Sequence, residues 1–282
     1  MSAPHRQSSG PYSQFLEGAP RLHYLEWNPH GRDTLVLLHG NSANAWWWRP
    51  LANSIDGTQY RLIALDQRGH GDSEWVRPAA YAPDDYARDL ARFIEGIGLV
   101  RPVVVGHSMG GISVLDFAAG FGHLARAAIA IDVAVTSTPR RDRFLSRLRL
   151  LPTVTYPDRA TAIERFRLIP NEGEIAPSVL AEIAAHSLER TADGRYTLKF
   201  DRASFLGTDG LDVPATIERI TIPTLLIRAE MSRIMTAEAT VRAALSNPLV
   251  RVAEIAGAHH HVPIECPDPL ARLISEFAAT AG

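Results

Sequence analysis

The sequence predicts an α/β fold in which a mainly parallel central sheet carries helices on both faces. Short apolar runs of the kind that form buried strands recur along the chain, at residues 34–38, 60–65, 102–105, 127–131, 222–228 and 249–255. Stretches with helical spacing of apolar residues separate several of these runs. Because parallel strands need such crossover helices, the alternation favours a parallel sheet over an antiparallel one.

The clearest helix prediction covers residues 83–97. Its apolar side chains recur three and four positions apart and share one face: Tyr86, Leu90, Phe93, Ile94 and Ile97. Asp84 and Asp85 lie near its beginning, where the helix dipole favours negative charge. A second helix is predicted over residues 109–119, directly after the apolar run 102–105.

The alternation of strands and helices stops between residues 135 and 212. Apolar residues at helical spacing predict helices within residues 143–151, 160–168 and 178–185. We therefore predict a helical cap at 135–212 that interrupts a core formed by residues 1–134 and 213–282. The arginines of the first cap helix are interpreted as a solvated face rather than as a device that attracts acidic substrates.

Composition is typical of a globular protein, with 46% hydrophobic and 21% charged residues among 282. The net charge of −2 gives no electrostatic case for binding nucleic acid or an anionic membrane. Cys266 is the single cysteine, which excludes an internal disulfide. Residues 1–22 lack the pattern of a signal peptide, and no apolar stretch has the length of a membrane span. We therefore expect a cytoplasmic protein without membrane insertion; no feature specifies an oligomeric state.

The most informative motif is Gly106-His107-Ser108-Met109-Gly110, between a predicted strand and a predicted helix. A serine in such a turn can present its hydroxyl above the sheet as a nucleophile, and the flanking glycines allow the close backbone approach that the turn needs. We predict that Ser108 is the nucleophile.

A second glycine turn follows the run 34–38, at His39-Gly40-Asn41. A loop there can direct the backbone N–H of Asn41, together with that of Met109, at the oxyanion of a tetrahedral intermediate. Candidate residues of the substrate pocket are His39, Gly40, Trp46, Trp47 and His107. Trp48 is predicted to be a structural anchor.

The stretch Asp66-Gln67-Arg68-Gly69-His70-Gly71-Asp72-Ser73 completes a close resemblance to the α/β-hydrolase superfamily, in its esterase-like branch. The resemblance extends over about residues 21–277, except for the variable middle segment. It implies the α/β-hydrolase fold. It also implies that Arg68, His70 and Asp72 shape the core beside the active site without taking part in catalysis.

The same resemblance selects the catalytic base. The family pattern places a glycine three residues before the histidine, a glutamate five residues after it and a proline two further on. Aligned on Gly257, Glu265 and Pro267, the pattern selects His260. We expect His259 and His261 to be loop residues near the pocket rim, and no metal, because no cysteine or acidic residue has ligand spacing here.

Two carboxylates compete as the acid that orients His260. The family usually supplies an aspartate after the strand at 222–228, but Ser232 and Arg233 occupy the customary positions, and Glu230 is the carboxylate nearby. Some branches take the acid from the end of the preceding strand, which here is Asp132. A carboxylate at the end of a buried strand needs a partner, and His260 would be one, so we favour Asp132 over Glu230.

These residues predict a cofactor-free serine hydrolase that cleaves a small-molecule carboxylic ester, thioester or lactone. The same residues would also suit an acyltransferase, a perhydrolase or a carbon–carbon bond hydrolase. A ligand-binding receptor of low turnover stays open because the customary acid position is altered. Dehalogenases and epoxide hydrolases are disfavoured, since those relatives have an aspartate where Ser108 stands.

Overall fold

The computed structural model of the protein describes residues 10–135, 139–206 and 212–281. An eight-stranded sheet has the spatial order β1-β2-β4-β3-β5-β6-β9-β10. Its strands are β1 (Tyr12–Leu16), β2 (Leu22–Trp27), β3 (Asp33–Leu38), β4 (Tyr60–Leu65), β5 (Val103–His107), β6 (Ala127–Ile131), β9 (Thr224–Ala229) and β10 (Val250–Ile255). The pairs β1–β2 and β2–β4 are antiparallel, and the other neighbours are parallel. The predicted fold class is thereby confirmed.

Helices cover both faces of this sheet. Those outside the segment between β6 and β9 are α1 (Arg49–Ser54), α2 (Pro83–Gly96), α3 (Met109–Gly120), α8 (Ala237–Ser246), α9 (Val262–Glu265) and α10 (Pro267–Thr280), and α7 (Val213–Glu218) lies just before β9. Helix α2 has the predicted bounds within one residue at its end. The Asp85 carboxylate accepts a hydrogen bond from the backbone N–H of Ala82 at 2.9 Å, which satisfies a donor at the beginning of that helix.

Alternating strand residues build two hydrophobic cores, one on each face of the sheet. On β3, Val36 packs in the core beneath α2 and α3, whereas Leu35 and Leu37 pack in the opposite core with α1 and α10. This alternation follows from the two-residue repeat of a strand. Both faces of the inner strands β3, β4, β5, β6 and β9 are buried, and these strands are therefore largely apolar, which is why they were visible in the sequence. The strands β1 and β2 were not predicted, because polar residues interrupt their apolar ones.

The segment between β6 and β9 contributes α4 (Pro139–Leu150), α5 (Arg159–Glu164), α6 (Pro177–His186) and an antiparallel hairpin of β7 (Leu188–Arg190) and β8 (Tyr196–Leu198). The hairpin was not predicted, because three-residue strands are too short to show an alternating pattern. Helix α5 ends earlier than expected, and the apolar residues beyond it, Phe166 and Leu168, pack instead against Trp47 and Ile264. This contact joins the segment to the rest of the protein.

None of the helices in the described ranges combines the length and the apolar character that crossing a bilayer requires.

Candidate active site

Ser108 lies in a sharp turn between β5 and α3. Its backbone has φ 53° and ψ −117°, a combination that costs a non-glycine residue conformational energy. Only glycine fits at the two flanking positions, because a side chain there would collide with backbone atoms. A Cβ atom on Gly106 would lie 2.1 Å from the carbonyl oxygen of Gly110, and one on Gly110 would lie 2.4 Å from that of Leu38. The two glycines therefore let the chain close tightly enough to lift the Ser108 side chain above the sheet.

Three side chains from separate loops form a continuous line of hydrogen bonds. Nε2 of His260 lies 3.1 Å from Oγ of Ser108, and Nδ1 of the same ring lies 2.7 Å from Oδ2 of Asp132. His260 is 4% exposed and Asp132 is fully buried. Because Nδ1 faces a carboxylate, it carries the proton, and Nε2 is left to accept the proton of the serine hydroxyl. The structure thus brings together Ser108, His260 and Asp132, which follow three different strands of the sheet and were predicted from the sequence to act together.

The Asp132 carboxylate has further partners besides His260. Its Oδ1 accepts a hydrogen bond from the backbone N–H of Ala229 at 3.3 Å, and its Oδ2 accepts one from Oγ of Ser232 at 2.5 Å. Burial raises the pKa of Asp132 to about 6, and the hydrogen bond from Ser232 opposes that rise. The burial of the carboxylate is therefore only partly compensated by these donors.

The second acid candidate, Glu230, lies elsewhere. Its side chain is exposed, and Oε2 accepts a hydrogen bond from the backbone N–H of Gly257 at 2.7 Å. Glu230 thus contacts the beginning of the loop that carries His260, whereas Asp132 contacts the ring itself.

The three consecutive histidines contact three different partners. Nδ1 of His259 lies 2.7 Å from Glu265, and its side chain is 31% exposed. His261 is buried, with Nε2 at 2.8 Å from the carbonyl oxygen of Pro170, and burial lowers its pKa to about 4. His261 was expected near the pocket rim, and the structure places its ring in the cavity wall. The short helix α9 begins at the next residue.

Within the described residues, one group of side chains has atoms close enough to hold a metal ion: His23, Asp66 and Asp72. Nδ1 of His23 lies 2.7 Å from Oδ2 of Asp66, and the backbone N–H groups of Ala45 and Asp72 also donate to the Asp66 carboxylate. Hydrogen bonds within the protein therefore occupy the Asp66 carboxylate.

The glycine turn after β3 runs beside the nucleophile. A Cβ atom on Gly40 would lie 3.3 Å from Cβ of Ser108, and the adjacent Asn41 lines the same cavity as Ser108 and Met109. His39 was predicted to line this pocket, but it lies beneath the turn, 1% exposed. Its ring donates from Nδ1 to the Gly40 carbonyl at 2.7 Å and accepts at Nε2 from the backbone N–H of Gln67 at 3.1 Å. His39 therefore fastens the turn to the loop after β4.

The stretch after β4 forms the support under this turn. Arg68 donates to the Asp89 carboxylate from Nε at 2.6 Å and from a terminal nitrogen at 2.8 Å. His70 is fully buried, and burial lowers its pKa to about 3. Asp72 forms an ion pair with Lys199 at 2.6 Å. These contacts tie the loop to α2 and to the segment between β6 and β9.

A cavity of about 140 Å³ opens above Ser108 and His260. Gly40, Trp47 and His107, three of the candidate pocket residues, line this cavity. Much of its wall is apolar. One group of wall residues, Met109, Ile112 and Ala134, precedes α4 in the chain, and a second group, Phe144, Leu148 and Phe205, comes from α4 and the 3-10 helix Arg202–Leu206. The side chains of this second group were not identified from the sequence, because a helical repeat reveals an apolar face but not what it covers.

The three consecutive tryptophans point in different directions. They lie in the 3-10 helix Ala45–Trp48, where successive side chains are turned by about 120°. Trp47 lines the cavity, whereas Trp48 is fully buried in the core with α1. Trp46, also predicted to line the pocket, instead stacks on the ring of His186 with centroids 3.5 Å apart. It borders a separate cavity next to Arg49.

Comparison with known proteins places these features in a family. The family model described as "Alpha/beta hydrolase family" matches residues 35–273. Among curated relatives, the 2-(acetamidomethylene)succinate hydrolase of Mesorhizobium japonicum is 27% identical over 247 residues, which cover 86% of this chain and 87% of that protein. The 2-hydroxy-6-oxononadienedioate/2-hydroxy-6-oxononatrienedioate hydrolase of Paraburkholderia phymatum is 35% identical over 115 residues, or 39% of this chain and 40% of that protein.

The fold also matches solved structures. The crystal structure of E-2-(acetamidomethylene)succinate hydrolase superimposes with a TM-score of 0.83 at 24% identity, covering 95% of this chain and 99% of that one. The likeness therefore extends beyond the sheet to nearly the whole chain.

Proposed function

The chain belongs to the α/β hydrolase family, and from this premise we propose that it is a serine hydrolase that cleaves carboxylic esters through an acyl-enzyme on Ser108. The observation that carries the proposal is the line of hydrogen bonds from Ser108 through His260 to Asp132. A nucleophile, a base that can take its proton and a carboxylate that fixes the ring of the base are the parts that acyl transfer to serine requires.

In the proposed mechanism, Oγ of Ser108 attacks the ester carbonyl while Nε2 of His260 takes the hydroxyl proton. Asp132 holds Nδ1–H and stabilises the imidazolium that forms. The backbone N–H groups of Asn41 and Met109 donate to the oxyanion of the tetrahedral intermediate. His260 then gives its proton to the departing alcohol. In the second half-reaction it activates the water that releases the acid from Ser108.

The size and the apolar lining of the cavity favour a substrate with a compact, apolar acyl group. Its volume of about 140 Å³ is close to the ~150 Å³ of an apolar protein cavity that binds benzene. The two relatives are named for succinate and dienedioate substrates, which carry two carboxylates. In the part of the chain that the structure describes, no arginine or lysine lines the cavity to pair with a second carboxylate. We therefore propose neutral monoesters with acyl groups of about six carbons or fewer.

The test is turnover of a series of p-nitrophenyl esters from acetate to decanoate by the wild type and by Ser108→Ala. We expect the wild type to prefer the shorter acyl groups, and Ser108→Ala to lose on the order of a millionfold in turnover, as when the nucleophile of a serine hydrolase is removed. A fluorophosphonate should label the wild type alone. Substantial turnover by a folded Ser108→Ala variant would contradict the proposed mechanism. A preference for a half-ester of a diacid over a neutral ester of equal length would contradict the proposed substrate class.

A further inference from the structure

The turn after β9 carries a hydroxyl where the sequence pattern leads one to expect a carboxylate. Ser232 is 6% exposed, and its Oγ lies 2.5 Å from Oδ2 of Asp132. That same oxygen is 2.7 Å from Nδ1 of His260. Ser232 and His260 therefore meet at one atom of the acid.

The direction of the Ser232 hydrogen bond follows from its second partner. The backbone N–H of Ile234 points to Oγ of Ser232 at 3.1 Å, and an amide N–H can only donate. Oγ thus accepts from Ile234, and its own proton is directed to the ionised carboxylate of Asp132. Ile234 lines the cavity, so the turn connects the acid to the cavity wall.

We propose that Ser232 is a positioning residue that holds the Asp132 carboxylate ionised and turned toward His260. The inference rests on the proposed function, because it assigns Ser232 a role in the same catalytic site. Two charge-assisted donors on one carboxylate oxygen leave the carboxylate little rotational freedom. His260 provides one of these donors, and Ser232 provides the other.

Neighbouring strands explain why position 232 can act on this atom. β6 and β9 are adjacent and parallel, with Ile131 opposite Ile227, so both strands end at the same edge of the sheet. Asp132 follows β6 directly, and the turn that carries Ser232 follows β9. An acid on either strand would thus approach His260 from the same edge. We infer that positions 132 and 232 serve the same ring nitrogen.

The first experiment compares Ser232→Thr with Ser232→Val, because these two side chains have the same shape and only threonine keeps the hydroxyl. We expect Ser232→Thr to retain most of the wild-type kcat. Ser232→Val should lose roughly tenfold to a hundredfold in kcat, the effect of one hydrogen bond to a charged group. KM should change little in either variant, since Ser232 does not line the described cavity wall.

The pH dependence of kcat/KM separates this role from plain packing. The groups that face Asp132 are His260, Ser232, Arg228 on β9, and the rings of His107 and His261. Without the hydroxyl, the Asp132–His260 pair takes up a proton more readily. The acid limb of the profile should therefore move to higher pH by about one unit in Ser232→Val and stay in place in Ser232→Thr.

The second experiment moves the carboxylate from the end of β6 to the turn after β9. Asp132→Ala removes it, and Ser232→Asp in that background supplies a carboxylate whose side chain is one atom longer than that of serine and reaches into the vacated space. We expect the double variant D132A/S232D to recover at least about tenfold over Asp132→Ala. The isosteric control D132A/S232N should not recover, because an amide cannot balance the imidazolium charge.

These measurements include Ser108→Ala in parallel. Turnover that survives in Ser108→Ala would overturn the proposed function itself. With Ser108→Ala inactive, equal kcat and equal pH profiles for Ser232→Thr and Ser232→Val would overturn the positioning role alone. Equal activity of D132A/S232D and D132A/S232N would overturn the inference that the two positions serve the same nitrogen.

Discussion

Nε2 of His107 lies 2.7 Å from the backbone carbonyl oxygen of His260. His107 immediately precedes Ser108, so the turn that carries the serine is fastened directly to the loop that carries the base. Burial holds the pKa of His107 well below its ordinary value, and the ring is therefore neutral with its proton on Nε2. The distance between Ser108 and His260 thus depends on the His107 side chain, which takes no part in the proposed reaction.

His107→Leu should lower kcat by roughly tenfold, because the loss of a buried hydrogen bond of about 1.5 kcal/mol loosens the His260 loop. His107→Gln can present its amide N–H near the position of Nε2 and should keep most of the activity. Ester turnover by the two variants, with circular dichroism to check folding, measures the difference. Equal losses in both would mean that ring packing rather than the hydrogen bond positions the loop.

Substitutions of the two acid candidates, Asp132 and Glu230, should differ sharply in their effect on turnover. Asp132→Asn should lower turnover by roughly ten-thousandfold, as when the triad aspartate of a serine protease becomes asparagine and the ring takes the wrong tautomer. Glu230→Gln should cost less than about tenfold, because the Glu230 side chain is exposed and its one described hydrogen bond is with the backbone of Gly257. Both are measured at one pH on the same ester. A severe loss in Glu230→Gln beside a mild one in Asp132→Asn would reverse the assignment.

Asp132 should also reduce the stability of the fold above pH 6. Burial raises its pKa from 3.8 to about 6, so the folded protein holds this proton more tightly than the unfolded chain does. Stability is therefore lost as the pH rises from about 4 to about 6, where the carboxyl ionises in the folded protein. The variant Asp132→Asn lacks this dependence, because an amide does not titrate in this range.

The difference in Tm between Asp132→Asn and the wild type should accordingly grow in favour of the variant between pH 4 and pH 7. Thermal unfolding of the two proteins at several pH values measures it. A difference that shrinks over this range would show that ionised Asp132 is stabilised by its donors rather than penalised by burial.

Narrowing the cavity should change substrate choice without changing the chemistry. Ala134 is 4% exposed and lines the cavity, so Ala134→Val fills part of its 140 Å³. We expect kcat/KM for hexanoate to fall by about tenfold, since two methylene groups of the substrate lose burial worth about 0.8 kcal/mol each. The acetate ester should be turned over as by the wild type. A parallel fall for both esters would indicate that Ala134→Val disturbs Ser108 rather than the acyl cavity.

The features that sequence could reveal are those fixed by local chemistry. Gly106 and Gly110 are needed wherever a chain closes this tightly, and the buried strands are apolar because both faces of the sheet are covered. The direction of a side chain in a loop is different, because it depends on residues that are distant in sequence. Trp46 was misplaced for this reason, since its direction follows from its position in a 3-10 helix.

Ser232 shows a related limit. The sequence showed that a hydroxyl occupies the customary acid position, and this was interpreted as a broken pattern. Only the adjacency of β6 and β9 shows that the hydroxyl donates to the carboxylate at the end of the neighbouring strand. Pairing of strands that are about ninety residues apart in sequence is a tertiary property, and no local repeat encodes it.

The cavity wall is divided between two stretches of chain, with Ile112 and Ala134 on one side and Phe144 and Phe205 on the other. Ser108, His260 and Asp132, with the hydrogen bonds described above, lie outside the stretch that carries Phe144 and Phe205. After a gene duplication, one copy can therefore accumulate changes in the segment around Phe144 and Phe205 and acquire a new substrate while its reaction chemistry is inherited intact. Homologues that differ mainly within residues 139–206 should share one reaction and differ in their substrates.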